Sequence, residues 1–375
     1  MNIKEYFKAS DDERESSKRQ KKNSIWWVMN LWELKELLWL TEEEMEIIIH
    51  NTAFVKQRYT PYLIGLMQKN GEKITKQFLP KYHRIKELPE PEWDKDWDFF
   101  INHTQNKYNN SRLLVRVAHN CDSLCQFCFE SARTLSNDSL WHSKSKDLDE
   151  TRQYIKDNPS IDEVIFSWWD PMTLWNNALR KYLSKVRQVD ESREMPMLIR
   201  INTRNMTFNP FRFDKEFARI CDEFNVNNIW LHISNSEELT KEVEAVIRMF
   251  WKESPFTAFF LNTPLLKWVN DSVESLKTLI TKASSIWIKP NYIYHTMPET
   301  PSWEVFQVPI LDALKIMDKI SWIWASSIIR PQFAIVPADW KFLPSIWEWS
   351  KNYEIIENWI KYTNRKWEVK EYVDR

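Results

Sequence analysis

The chain has almost no glycine. Its 375 residues contain 2, where a usage of about 7% would give roughly 26. Glycine is hard to omit from turns, because it adopts positive φ without a steric penalty. An ordinary supply of turn residues is therefore excluded for the letters as written. Tryptophan shows the opposite anomaly: normally rare, it occurs 22 times, while proline, at 17, is ordinary. The two letters together come close to the glycine count expected, so most tryptophans stand where glycine belongs.

Local chemistry supports this. In ELKELLWLTEEEME, Trp39 lies between a helical run and Thr41, which forms a capping-box pattern with Glu44; that slot takes a left-handed glycine. In TNRKWEVKEYVD, Trp367 occupies a hairpin turn between two strand-like runs, again a glycine place. Trp268, beside Lys267, Asn270 and Asp271, and Trp340, between Asp339 and Lys341, put the largest apolar side chain into polar loops. A gene that reads UGA as glycine, translated with UGA as tryptophan, would give this pattern. A truly tryptophan-rich protein is the alternative.

Other absences bound the function. A net charge of −1 gives no basic field, so nucleic acid is not an expected partner. No apolar run reaches bilayer length, and the early stretch KASDDERESSKRQKKN lacks a signal peptide's apolar core. A soluble cytoplasmic protein with no membrane partner is expected. Of the four cysteines, three fall together, and an odd cluster without an export signal fits disulfides poorly.

Those three are Cys121, Cys125 and Cys128, spaced C-x3-C-x2-C after the buried-strand pattern LLVRVA of residues 113–118. Three thiolates on one loop can hold three irons of a four-iron cluster and leave the fourth iron open for chemistry. A closed zinc site wants a fourth ligand, for which His119, His142 and distant Cys221 are the candidates. Further strand patterns at 163–167, 197–202, 228–233, 257–262 and 288–293 alternate with helical stretches such as LDETRQYIKDN and SVESLKTLITKA. Such alternation predicts a parallel α/β sheet or barrel, whose strand C-termini carry the site. Residues 24 to about 100 read as helices, closed by a linker around Pro89 and Pro91.

The cysteine spacing, followed some forty residues later by SWWDP at 167–171, resembles the radical S-adenosylmethionine (SAM) enzymes. Within them the chain is similar to the lysine 2,3-aminomutase family, with IRINTRN, LNTPLLKWVNDSVESL, IKPNYIYHTMPE and FAIVPADWKFLP carrying the likeness. The resemblance implies a partial (β/α)6 barrel over 101–327. Before it stand a charged, disordered stretch (1–23) and a helical region (24–100), and after it a short segment (328–375) with a pyridoxal 5′-phosphate (PLP) lysine.

On the same footing, Trp168 and Trp169, read as glycine, and Asp170 match the family's glycine-glycine-acid motif at SAM. Arg204, Asn262 and Thr263 fall near the cofactors. Ser234 replaces a SAM-contacting histidine, for which His232, on the same strand face, is a substitute. Lys341 falls on the PLP lysine, and Lys107, Tyr108 and Arg112 on the phosphate clamp, with Lys107 a point charge in place of a guanidinium fork. Glu130 and Met297 depart from the residues that recognise lysine, which leaves the amino-acid substrate open.

The expected cofactors are a 4Fe-4S cluster, SAM and PLP, with flavodoxin or ferredoxin as electron donor. The family's late zinc-binding cysteines are missing, so a homo-oligomer is left open. The implied activity is an isomerase moving an amino group between adjacent carbons. Modification of a protein-bound lysine, or a non-catalytic iron–sulfur protein, are the competing expectations.

Overall fold

The computed structural model describes residues 31–52, 58–85, 100–101, 104–107, 111–118, 120–128, 148–167, 169–190, 193–297, 300, 303–322, 325, 327–337, 341–345, 351–364 and 367–373. Tyr108, Glu130, Trp168, Asp339 and Trp340 lie outside them, as do residues 1–30 and the side chain of Lys107.

Four helices open the described chain: α1 (Leu31–Leu38), α2 (Glu42–Asn51), α3 (Pro61–Asn70) and α4 (Glu72–Phe78). The capping box at Thr41 and Glu44 starts α2 as the sequence predicts. These helices share an apolar core built on Leu34, Ile48, Leu63, Ile64, Ile74 and Phe78, and Cys125 and Phe208 join it from the main body.

The main body is a nine-stranded sheet in the order β1 (Phe100–Ile101), β2 (Thr104–Lys107), β3 (Arg112–Arg116), β4 (Glu163–Ser167), β5 (Leu198–Thr203), β6 (Asn228–His232), β7 (Ala258–Leu265), β8 (Ile288–His295) and β9 (Gln332–Ala334). β1 to β3 pair antiparallel. From β3 to β9 every pairing is parallel and between consecutive strands. That order belongs to a β/α barrel, since a doubly wound sheet reverses at a switch point. Among the described residues β9 does not pair back to β1, so the barrel is incomplete. The six strand patterns read from the sequence are present within a few residues; β9, three residues long, is a seventh that the sequence reading did not find.

Strand alternation decides what faces where. Ile199, Ile201, Ile229, Leu231, Phe259, Leu261 and Ile293 pack against α5 (Leu148–Asp157), α6 (Asn176–Asp190), α7 (Lys215–Glu223), α8 (Lys241–Glu253), α9 (Val273–Ser285) and α10 (Ile310–Ser321) in one large core. The opposite face carries Arg200, Asn202, Trp230, His232, Phe260, Asn262, Tyr292 and Tyr294, a polar and aromatic interior. A second sheet, β10 (Tyr353–Ile356), β11 (Trp359–Thr363) and β12 (Val369–Tyr372), is a meander. It reaches the main core through Ile360, Tyr362 and Tyr372.

Seven described residues other than glycine have positive φ, and five are tryptophan: Trp39 (51°), Trp169 (59°), Trp268 (62°), Trp287 (68°) and Trp367 (65°). The left-handed region costs an L-residue with a Cβ roughly 1–2 kcal/mol. Trp39 follows α1, Trp287 follows α9, Trp367 turns β11 into β12 and Trp169 follows β4. These are the turn positions at which glycine is the residue without a penalty.

Candidate functional site

The cysteine loop follows β3 at the C-terminal edge of the parallel sheet and is clasped by the helical region. Arg58 Nη1 donates to the Cys121 carbonyl (2.9 Å), and Ser123 Oγ donates to the Arg58 carbonyl (2.7 Å). The Gln126 amide donates to the Gln77 carbonyl (2.8 Å) and its side-chain Nε2 to the Phe78 carbonyl (2.8 Å). From the barrel side, Asn205 Nδ2 donates to Asp122 Oδ2 (2.8 Å). The N-terminal helices therefore shape the loop as well as covering it.

Cys125 is buried, and Cys121 and Cys128 are half-buried. Burial, then Asp170 and the neighbouring thiols, push Cys121 well above the usual thiol range; burial pushes Cys125 up to about 12, against the pull of Arg204. Crowded, desolvated thiols of this kind are relieved when a metal takes their protons' place. Among the described residues no three Cys, His, Asp or Glu side chains gather as ligands of one ion do, whereas a four-iron cluster gives each cysteine its own iron.

Asp170 faces inward. Its Oδ1 accepts from Thr203 Oγ1 (2.7 Å) and the Met172 amide (3.0 Å), and its Oδ2 from the Arg204 amide (2.9 Å). Burial raises it to about 7 despite those donors. Its carboxylate ties the end of β4 to the end of β5.

Arg204, just past β5, lies over the Phe127 ring of the cysteine loop, 4.9 Å from its centroid. It donates to Ser234 Oγ (3.1 Å) and Gln77 Oε1 (2.5 Å) and pairs with Glu238 (3.4 Å). Its buried Nε has no hydrogen-bond partner. Glu238 also accepts from Thr207 Oγ1 (2.7 Å), Gln77 Nε2 (3.1 Å) and the Ser234 and Asn235 amides. The local sequence marks Glu238 only as the third residue of a capping box begun by Asn235; its pairing with Arg204 and Gln77 joins elements up to 161 residues apart.

Deeper in the interior, Asn262 Oδ1 accepts from Asn291 (3.1 Å), and the strand register sets Asn262 beside His232 and Tyr292. Thr263 spends its hydroxyl on the Ile233 carbonyl (3.0 Å). His232 is lowered to about 4 by burial and by Arg204 and Arg200, so it stands neutral at neutral pH.

Trp169 occupies the turn after β4 with positive φ, half-buried, its indole Nε1 enclosed without a partner. Glycine would take this φ without a penalty and leave the volume of the indole open.

Lys341 lies one residue before Phe342, whose backbone exchanges two 3.0 Å hydrogen bonds with Ile335 beyond β9 and whose ring stacks on Tyr362 at 4.3 Å. So anchored, Lys341 turns into the barrel interior, where Nζ donates to Tyr294 Oη (3.1 Å) and sits 4.1 Å from the Tyr292 ring centroid. Burial, then Arg200 and Arg112, lower it to about 8. An amine lowered this far has a much larger neutral fraction near neutral pH than a lysine in water, and the neutral form is what captures carbonyls. The structure thus brings together the cysteines, Asp170, Arg204 and Asn262 toward the sheet's C-terminal edge, and Lys341 and Arg112 in a second, cationic region. Met297 is half-buried at the end of β8.

No family model matches the chain. The L-lysine 2,3-aminomutase of Bacillus subtilis is 27% identical over 301 residues, 78% of this chain and 61% of the relative. That of Clostridium subterminale is 24% identical over 76% of this chain and 68% of the relative, and the glutamate 2,3-aminomutase of Clostridioides difficile 23% over 76% and 66%. The chain therefore spans about two thirds of these relatives' length. A solved radical SAM methyltransferase from Sphaerobacter thermophilus overlays 63% of the chain and 70% of its own length at 11% identity and TM-score 0.42, too loose a superposition to align sites.

Proposed function

We propose, for a chain related to the lysine 2,3-aminomutases among the radical SAM enzymes, a PLP-dependent aminomutase that moves an amino group between adjacent carbons of an amino acid. The observation that carries this reading is the pairing, in one barrel interior, of an open three-cysteine loop with a lysine whose amine burial and two arginines make easier to deprotonate. When bound, the cluster with SAM supplies hydrogen-abstracting radical chemistry, and PLP supplies a ring that delocalises electrons during migration of nitrogen. Flavodoxin or ferredoxin is the proposed electron donor.

The chain's own residues have distinct tasks. Cys121, Cys125 and Cys128 hold the cluster, and the Gln77, Gln126 and Arg58 contacts fix their loop. Arg204 sets a cation beside Cys125 and is itself balanced by Glu238. Glycine at positions 168 and 169 leaves room for SAM. Lys341 attaches PLP, and Tyr294 orients its Nζ; Arg112, with Lys107 and Tyr108, receives the phosphate. No helix among the described residues is long and apolar enough to cross a membrane.

The test uses anaerobic protein carrying Trp168→Gly and Trp169→Gly. An iron–sulfur absorbance band and a PLP band are expected together. Lys341→Ala should remove only the PLP band, and Ala at any of the three cysteines should remove the iron–sulfur band. A cluster without PLP would make the chain a radical SAM protein of another kind. Turnover of a protein-bound lysine with no free amino acid consumed would place it with protein modifiers. UGG codons at Trp168, Trp169 and Trp268 in the gene would refute the glycine reading.

A further inference from the structure

We propose that Arg200 is the second arm of a phosphate clamp at Lys341, held in place by Glu163 and Trp230, an assignment that rests on the PLP reading above. Arg200 lies in the IRINTRN stretch, but the sequence assigned a role to neither it nor Glu163, and the geometry of three adjacent strands brings them forward.

Glu163 begins β4, between Arg112 on β3, its register partner, and β5, where Arg200 pairs with Ile165. Its Oε2 lies 3.4 Å from Arg112 Nε and its Oε1 3.3 Å from Arg200 Nε. One carboxylate therefore forms ion pairs with two guanidiniums and draws them to the same side of the sheet. Arg200 is also fixed from the other side, its guanidinium carbon 3.7 Å from the Trp230 ring centroid, close contact for a cation on an aromatic face. Trp230 in turn lies 6.2 Å from Tyr292, whose ring carries Lys341 Nζ at 4.1 Å. Arg200, Trp230, Tyr292 and Lys341 thus follow one another as neighbours across the interior of β5, β6 and β8.

The charges say what this row of side chains receives. After burial, the charges of Arg200 and Arg112 depress Lys341, so the field they set at Nζ is positive. Two guanidiniums that share one carboxylate, beside the Lys341 amine, make a field that suits a phosphate dianion. Guanidiniums take phosphate by a planar, two-pronged contact that an ammonium cannot make. Arg200 therefore supplies the fork that the sequence lacks at Lys107. The side-chain exposures fit a division of labour: Arg200, at 6%, is fixed before the ligand arrives, while Arg112, at 43%, lies toward solvent and guards the entrance.

Two anions could meet this clamp, the cofactor's phosphate or a substrate carboxylate. The proposal is the phosphate, and comparing PLP with pyridoxal, which lacks it, separates them. Each probe is incubated with the full chain, reduced with borohydride, and the Lys341 adduct counted by mass spectrometry. The starting chain should prefer PLP over pyridoxal by at least about tenfold. Arg200→Met should abolish most of that preference while pyridoxal attachment stays level, which also shows that the site is folded. Arg200→Lys should restore part of it, as a point charge without the fork, and Glu163→Gln should weaken it by loosening both arms.

An unchanged preference in Arg200→Met, with the pyridoxal yield intact, would remove Arg200 from the clamp and leave Lys341 as the attachment site. A preference that survives there, joined to weaker binding of the amino-acid substrate, would assign Arg200 to the carboxylate. Failure of both probes to attach to the starting chain would overturn the PLP reading and this assignment with it.

Discussion

The two regions of the barrel interior handle charge in opposite ways. Near the cysteine loop, the buried cation Arg204 has its own carboxylate, Glu238, and Asp170 is saturated by three donors. At Lys341, Arg112 and Arg200 share the Glu163 carboxylate and both act on Nζ as positive charges. The first region is neutralised by the protein itself, and what remains unmet is the demand of crowded thiols for metal. On the proposed function each region would take its own cofactor, the cluster at the thiols and the phosphate at the cations. His232 marks the boundary, held neutral by burial and by one arginine from each region.

The largest effect should come from opening the cysteine-loop region. Trp168→Gly with Trp169→Gly should tighten SAM binding at least about a hundredfold, or ~2.7 kcal/mol, measured by equilibrium dialysis on anaerobically reconstituted protein. Tighter binding by the unmodified chain would contradict the idea that the Trp169 indole occupies the site.

Next comes the contrast in pairing. Glu238→Gln leaves Arg204 charged and buried without its counterion, which should cost about 3–5 kcal/mol in denaturant unfolding. Glu163→Gln should cost less, about 1–2 kcal/mol, because one of its partners, Arg112, is substantially exposed. Equal losses would erase the distinction between a self-neutralised region and an open one.

A smaller pair of effects tests the tryptophans themselves. Trp39, Trp268, Trp287 and Trp367 are exposed and have positive φ, so glycine at each should stabilise by about 0.5–1 kcal/mol once its extra unfolded-state entropy is counted. Trp230 sits in a strand with Arg200 on its face and Phe260 and Tyr292 at 6.2 Å. Trp230→Ala should therefore destabilise by roughly 3 kcal/mol. Loss of stability in the first set, by thermal denaturation, would mean that tryptophan is the working residue there too.

What could be read from the sequence follows the range of the interactions. The cysteine spacing, the Thr41 capping box and the strand alternation are local patterns, and the structure places them within a few residues. Trp39, Trp268 and Trp367 were legible as glycine places because polar turn residues or cap signals stand beside them; Trp287, after a helix with no such signal, was not. Lys341 was legible only through the family likeness, since a lysine in a loop has no signature of its own. Glu163, the Arg204 pairing of Glu238 and the placing of Arg200 against Glu163 and Trp230 were silent, because each depends on partners on other strands or helices. β9, at three residues, is too short to show alternation. The clasp of the cysteine loop by Arg58, Gln77 and Phe78 depends on contacts across some fifty to sixty residues, and helical periodicity alone says nothing of it.

The finest test is the protonation of Lys341. Its ordinary value of 10.5 falls to about 8 through burial, Arg200 and Arg112, so the folded state disfavours the charged amine. The folding cost of this depression is fully present below pH 8 and is relieved as pH rises from about 8 toward the unfolded value, so this group's contribution to stability increases with pH across that window. Attachment of a carbonyl follows the neutral fraction, so its rate should climb about tenfold per pH unit below 8 and level off above it. Arg200→Met should move the break upward by removing one of the two cations, whereas Glu238→Gln, in the other region, should leave it in place. A break near 10.5 in the starting chain would mean that Lys341 lies in water, and that the positive field assigned to its surroundings does not reach it.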